Sequence, residues 1–180
     1  MQIDPKYFNV FLVIVALVAA ALITFFTLQN RSNEKAAFKK RMAANDSLQT
    51  VYWQQVQAPD SIRIDDFKGD FVVLNFWANW SDASIESQRK LAALKTEYAD
   101  TMQVIAAAVG LQKQEAVNVI AEYDFPFHFV AGSRQFSDLS VPGLPAQLIY
   151  SPTGELQSVF LGYQNKTQYD SLRSLLNHGH

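Results

Sequence analysis

Residues 71–84 read FVVLNFWANWSDAS, and this stretch indicates the fold of the domain around it. Residues 71–77 are apolar except for Asn75, and they are rich in β-branched and aromatic side chains. That composition is typical of a strand buried on both faces. From Ser84 onward the apolar residues recur with a helical period, so we predict a strand that turns sharply into a helix. The first N–H groups of such a helix, and the positive end of its dipole, often lie beside a reactive group.

The segment 75–80, NFWANW, resembles the strand that leads into the active site of the thioredoxin superfamily. The membrane-anchored TlpA-like thiol–disulfide oxidoreductases are the most similar group, and in them the next four residues are Cys-x-x-Cys. Here these positions hold Ser81, Asp82, Ala83 and Ser84, and the chain of 180 residues contains no cysteine. The resemblance therefore implies a degenerate site without a thiolate, and on this ground we expect a redox-inactive protein that is not an enzyme.

A second match lies at residues 141–150, which read VPGLPAQLIY. The superfamily places a cis-proline just before its next core strand, beside the active-site turn, and Pro145 stands at the matching position. In the family this loop supplies main-chain groups that pair with a bound polypeptide. The resemblance extends over roughly residues 51–176. It implies a thioredoxin-like α/β fold, with a central mixed sheet flanked by helices and preceded by an N-terminal β-hairpin.

The pattern of apolar residues agrees with that expectation. Apolar runs alternate with segments of helical period, which favours an α/β domain with a parallel core. The turn signal Ala58-Pro59-Asp60 separates the two predicted strands of the hairpin. We predict hairpin strands within 50–55 and 61–64, further strands at 102–109, 125–130 and 156–161, and helices at 114–123 and 167–176.

The four residues at the cysteine motif also have a structural interpretation. Serine and aspartate are good helix N-caps, and the dipole favours aspartate at a helix N-terminus. A serine hydroxyl ionises only beside a base, and neither His nor Lys is adjacent to Ser81 in the sequence. We therefore expect no catalytic residue. The alternative is an enzyme of unknown chemistry that uses Ser81 or Asp82.

The resemblance also implies a surface on which a polypeptide binds. In the superfamily the active-site turn and the cis-proline loop form this groove, and the matching residues are Trp80, Gly143, Leu144 and Pro145. Trp80 is then either an exposed anchor for a partner or a relic that packs against its own loop. We expect a protein-binding subunit or assembly factor of a membrane complex. The alternative is a chaperone-like adaptor that holds clients without a covalent bond.

Charge and composition narrow the range of partners. The chain carries 15 basic and 17 acidic residues, for a net charge of -2. Because no strongly basic field is present, nucleic acid is not an expected partner. The absence of cysteine excludes disulfides and cysteine-ligated zinc. We expect no metal, no cofactor and no small-molecule substrate.

Residues 10–28 are apolar apart from Thr24 and Thr27. A helix of this length extends about 28 Å, which matches the hydrocarbon core of a bilayer. We interpret residues 1–30 as an uncleaved transmembrane anchor. A signal peptide cleaved near 19–21 is the alternative, although the apolar run is longer than the typical apolar region of a signal peptide.

The segment after the span is basic. We interpret residues 31–48 as a basic juxtamembrane helix and linker. The helix is predicted over residues 32–44, with its N-cap at Ser32 or Asn33, and residues 45–47 (Asn-Asp-Ser) break the pattern. This helix either lies near anionic lipid headgroups or acts as a solvated spacer. Residues 49–180 are predicted to form the thioredoxin-like domain.

The orientation in the membrane is the first testable prediction. The family resemblance implies a bacterial inner membrane with the domain in the periplasm, whereas five basic residues after the span favour a cytoplasmic domain: Arg31, Lys35, Lys39, Lys40 and Arg41. The positive-inside rule weakens before a long domain, so we predict the periplasmic orientation. Protease added to intact spheroplasts should then remove the domain. Protection until the cells are lysed would place it in the cytoplasm instead.

Overall fold

The chain begins with one long helix. The computed structural model describes residues 5–44, 48–99, 101–163 and 167–178. It divides into two compact units, Met1–Ala37 and Phe38–His180. Helix α1 runs from Pro5 to Ala44, and its segment Asn9–Ala44 is long and apolar enough to cross a membrane, with a mean hydropathy of 2.9 in its most apolar window. Length and composition alone support this interpretation, and a signal sequence near an N-terminus would share both properties.

Helix α1 is continuous where we predicted a new helix to begin. Ser32 and Asn33 lie inside it, so the prediction of an N-cap at either residue is wrong. The sequence of the helix contains no glycine and no proline after Pro5 that would interrupt it. Polar side chains one turn apart also bond along the helix, since the amide of Gln29 donates to Asn33 at 3.2 Å. The predicted break at residues 45–47 lies outside the described residues.

The last turns of α1 contribute to the core of the second unit. Phe38 and Met42 are each only 1% exposed, and they belong to the same apolar cluster as Trp53 and Phe76. The guanidinium of Arg41 donates a hydrogen bond to the carbonyl oxygen of Leu139. The prediction that this segment lies in solvent or near lipid is therefore wrong at Phe38 and Met42, whose i, i+4 spacing places them on one face of the helix.

A short hairpin precedes the main sheet. It consists of β1, Trp53–Gln54, and β2, Ser61–Ile62, which pair antiparallel as predicted. The sheet itself has five strands: β3 is Phe71–Trp77, β4 is Met102–Ala108, β5 is His128–Ala131, β6 is Ala146–Tyr150 and β7 is Leu156–Leu161. The strand order is β5-β4-β3-β6-β7. The pairs β3–β4 and β4–β5 are parallel and the other two pairs are antiparallel, so the predicted mixed sheet is confirmed.

Helices cover the central strand on both faces. They are α2, Asp82–Glu97; α3, Lys113–Tyr123; α4, Ser133–Asp138; and α5, Thr167–His178. All seven residues of β3 are buried, as its composition predicts. Val73 and the β3 residues that alternate with it face an apolar cluster. This cluster includes Leu91 of α2 and Leu172 of α5. The intervening β3 residues face the cluster that contains the end of α1.

The burial of the end of α1 generates a stability prediction. We expect Phe38→Ala to lower the free energy of unfolding by about 3–5 kcal/mol, because it leaves a cavity among fully buried side chains. Lys40→Ala is the matched control, since Lys40 is exposed on the same helix and such changes cost less than about 0.5 kcal/mol. Urea unfolding of the full chain in mild detergent measures both. Equal stabilities of the two variants would contradict the burial of Phe38.

Candidate functional site

The turn between β3 and α2 carries the most exposed aromatic side chain of the second unit. Ala78 is buried, whereas Asn79 and Trp80 are exposed, and 72% of Trp80 is accessible to solvent. The indole nitrogen of Trp80 lies 3.7 Å from the position that a Cβ atom would occupy at Gly110. The ring therefore lies beside the turn that follows β4, with most of its surface in water.

Ser81 is the N-cap of α2. Its backbone is extended, with φ -110° and ψ 105°, and its Oγ accepts a hydrogen bond from the backbone N–H of Ser84 at 3.2 Å. This bond satisfies one of the amide groups that a helix leaves unpaired at its start. Asp82 follows in the first turn, where its negative charge interacts favourably with the helix dipole. Ser81 and Ala83 are partly buried, Asp82 is exposed and Ser84 is fully buried.

The loop before β6 emerges at the same end of the sheet as this turn. Phe76, near the end of β3, pairs with Ala146 at the start of β6. The turn that follows β3 and the loop that precedes β6 are therefore neighbours. The peptide bond between Leu144 and Pro145 is cis. Gly143 is exposed, and Leu144 is partly buried and packs against the core.

Of the four residues expected to form a groove, Pro145 is the least accessible. It is buried, and its carbonyl oxygen already accepts a hydrogen bond from Gly162 at 2.8 Å. The indole ring of Trp80 lies close to Gly110. Trp80, Gly143 and part of Leu144 are therefore accessible to solvent, whereas Pro145 is buried beneath the loop.

A buried polar cluster lies behind the first turns of α2. It consists of Ser87, Gln147 and Gln168, which hydrogen bonds join; the described part of the chain also buries the polar residues Asn75, Ser84 and Gln88. The amide of Gln147 donates to the Oγ of Ser87 at 2.8 Å, and the amide of Gln168 donates to Gln147 at 2.6 Å. Burial raises the pKa of the Tyr169 hydroxyl, which stays protonated at neutral pH and donates to the carbonyl of Ser87 at 3.2 Å.

Buried polar residues on α2 are not among the predictions from the sequence. Ser84 and Gln88 are four residues apart, which places them on one face of α2, and Leu91 continues that face into the apolar core. The spacing of these polar residues on the face that also carries Leu91 is the sequence signal that would have predicted their burial. Asn75 interrupts an otherwise apolar strand, and neither polar atom of its side chain has a hydrogen-bond partner among the described residues.

The chain's own side chains set limits on what the site can do. The Ser81 hydroxyl acts as a helix cap. In the part of the chain that the structure describes, no three His, Asp or Glu side chains are grouped so that they could hold a metal ion. The exposed features of this site are the apolar ring of Trp80 and the backbone at Gly143.

Comparisons with known proteins add the following. No protein-family model matches the chain. The chain is 27% identical over 111 residues to the thioredoxin-like protein YneN of Bacillus subtilis, a match that covers 59% of this chain and only 65% of that protein. It is 24% identical over 166 residues to the thiol-disulfide oxidoreductase ResA of Oceanobacillus iheyensis, which covers 91% of this chain and 84% of that protein.

A solved structure agrees with both relatives. The crystal structure of a secreted Mycobacterium tuberculosis disulfide oxidoreductase superposes with a TM-score of 0.61 at 14% identity, and it covers 74% of this chain and 98% of that one. The fold is thioredoxin-like. The predicted fold class is thereby confirmed, and a relationship to the thioredoxin-like thiol-disulfide oxidoreductase superfamily is supported.

These names correct one expectation. We expected that the chain is not an enzyme, and this is contradicted, because ResA and the mycobacterial protein are both named as oxidoreductases. The expectation rested only on the missing cysteines, and a missing side-chain type does not measure activity. The names do not address whether Ser81 and Ser84 replace two cysteines, so that replacement remains an interpretation of the motif.

The geometry of the α2 N-terminus predicts how thiols would behave there. In Ser81→Cys the thiol should titrate below the usual value of about 8.5, because it lies at a helix N-terminus and is partly exposed. In Ser84→Cys the thiol should titrate above that value, because Ser84 is fully buried. Absorbance at 240 nm as a function of pH measures both in the full chain. Identical titration of the two thiols would contradict the described turn.

Proposed function

We propose that this chain is a membrane-anchored thioredoxin-like protein that binds a partner protein as a subunit or assembly factor of a membrane complex. The observation that supports this most strongly is the exposure of Trp80. Among described residues outside α1, only Tyr52 and Trp80 are large apolar side chains with most of their surface in water. Tryptophan is among the residues that contribute most to protein interfaces when a partner covers them.

The surroundings of Trp80 suit a binding role. The turn is held on one side by the buried strand β3 and on the other by the capped start of α2, so the ring is presented from a rigid support. A rigid anchor loses little conformational entropy when it binds. Gly143, exposed in the neighbouring loop, leaves the backbone there accessible to an extended segment of the partner. Such binding requires no thiol on this chain.

The membrane location belongs to the same proposal. Helix α1 serves as the anchor in the inner membrane of a bacterium, and the domain lies on the periplasmic side or its equivalent. Support comes from the length and hydropathy of α1 and from the bacterial sources of the similar proteins. A chaperone-like adaptor would use the same surface but would hold many clients instead of one stable partner.

A second candidate function is a role in thiol–disulfide exchange, which the names of the similar proteins favour. Because the chain contains no cysteine, the attacking thiolate and both sulfur atoms of the disulfide would come from other proteins. This chain would then contribute the surface that brings them together. A role for the Ser81 hydroxyl in any chemistry would be revealed by Ser81→Ala, which should then abolish activity while the domain remains folded.

The proposal predicts a specific loss of binding. Trp80→Ala should weaken the complex by about 2 kcal/mol or more, which is roughly thirtyfold in affinity. Tyr52→Ala is the matched control, because Tyr52 is 69% exposed and is also aromatic. Each variant is purified as the full chain in mild detergent, and co-purifying protein is quantified by mass spectrometry. A folded Trp80→Ala variant that retains its partner at the wild-type level would overturn the proposal.

A further inference from the structure

The two edges of the five-stranded sheet differ in how they are covered. The edge at β5 is occupied, because the N–H of Val56 donates to the carbonyl of Phe129 at 2.9 Å and Gln55 forms a bridge with Val130. The opposite edge is β7. In the described part of the chain, no backbone group pairs with the outer side of β7. An open strand edge is a template for another strand.

The hydrogen-bond pattern shows which backbone groups face outward. The N–H of Gly162 donates to the carbonyl of Pro145, so these residues form a hydrogen-bonded pair next to Ala146 and Leu161. In an antiparallel ladder such pairs alternate with pairs whose N–H and C=O groups point away. The pair Leu148 and Val159 therefore belongs to the second kind. The N–H and C=O of Val159 point toward the open edge.

The sequence of β7 does not protect this edge. Natural sheets blunt open edges with lysine, proline, bulges or inward-pointing charges. Strand β7 reads LQSVFL and contains no charged residue and no proline. Its one irregularity lies opposite Ile149 and Tyr150, at the beginning of the strand. From Ser158 to Leu161 the pairing is regular, so a strand of the partner could continue the sheet there.

A groove lies on each face of β7. One groove carries a basic side chain and the other carries an acidic side chain. On the face where Val159 packs into the core, the groove is also lined by Lys39 and Ala43. On the face of Phe160, the groove is lined by residues of α5, among them Asp170. Lys39 and Asp170 are both exposed, and neither forms an ion pair within the described residues.

We propose that β7 binds an extended segment of another protein by strand addition, and that this segment carries basic side chains on one face and acidic side chains on the other. Successive side chains of a strand point to opposite faces of the sheet. Basic residues of the added strand would then lie beside Asp170 and acidic residues beside Lys39. The basic residues of the partner segment thus lie at positions two or four apart, and its acidic residues lie at positions of the opposite parity.

The same charges disfavour a second copy of this chain as the occupant. Two antiparallel copies of β7 would be related by a two-fold axis perpendicular to the sheet, which keeps each face on its own side. Lys39 would then approach Lys39 of the second copy, and Asp170 would approach its equivalent. Like charges repel in both grooves, whereas an alternating segment meets an opposite charge in each.

This inference does not depend on the role of Trp80, because it rests on a different strand and on different contacts. The experiment uses the full chain in mild detergent and a labelled peptide, Lys-Glu-Thr-Val-Lys-Glu-Thr-Val, which separates its charges onto two faces. The control peptide, Lys-Val-Glu-Thr-Lys-Val-Glu-Thr, has the same composition but places both signs on one face. Fluorescence anisotropy measures the affinity of each.

We expect the first peptide to bind at least about fivefold more tightly than the control. Val159→Pro removes the outward N–H and should weaken binding about tenfold, whereas Val159→Ala keeps that N–H and should bind within about twofold of the wild type. Asp170→Lys should weaken binding, since both grooves become basic. Adding Lys39→Glu should restore it, because the same peptide can turn over and match the reversed charges.

Three results would overturn the proposal. The first is unchanged binding to Val159→Pro when thermal melts show a folded domain. The second is equal affinity for the two peptides, or a double variant, Asp170→Lys with Lys39→Glu, that binds no better than Asp170→Lys alone. This second test does not require Val159→Pro to fold. The third is a dimer in light scattering that Val159→Pro abolishes, which would make a second copy the occupant. Trp80→Ala should leave peptide binding unchanged.

Discussion

The burial of β3 on both faces is the constraint on which the rest of the domain depends. Seven consecutive buried residues need apolar cover above and below, and α2, α5 and the end of α1 provide it. Strands must also flank β3 on both sides, because its backbone groups are out of reach of water. Those two requirements place β4 and β6 beside it and bring the turn at Trp80 and the loop at Leu144 to one end of the sheet.

The polar cluster behind α2 adds specificity to that apolar core. Hydrogen bonds among Ser87, Gln147 and Gln168 connect α2, β6 and α5, and each contributes about 1 kcal/mol net. Directional bonds of this kind accept only one placement of the helix on the sheet, whereas apolar contacts tolerate several. Asn75 lies opposite Gln147 in the sheet, and its side chain has no hydrogen-bond partner among the described residues. The hydrogen-bonded side chains therefore fix the orientation of α2 and α5 on the sheet beneath the candidate site.

The sequence was most informative where a local composition or motif is enough to predict a structural element. A run of six apolar residues around Asn75 predicts the buried strand β3, and the motif at Pro145 predicts the loop before β6. Helix α4 gave no such signal, because it is one short polar segment and its start depends on a tertiary contact. A Cβ atom at Gly132 would lie 2.7 Å from that of Ala107, and no local pattern records this close approach. The candidate site was predicted in part, since the exposure of Trp80 and the burial of Pro145 depend on packing that a motif does not describe.

The burial of Phe38 and Met42 has a consequence for how such a domain is inherited. An exchanged gene segment that lacks buried core residues destabilises the fold, because cavities are left in their place. In this protein an intact segment must begin upstream of Phe38, inside a helix, and not in the loop before the hairpin. A break placed at a loop, where exchange is usually tolerated, would separate two core side chains from the sheet they cover. The segment that carries the whole apolar cluster therefore includes the end of α1 as well as the sheet and its helices.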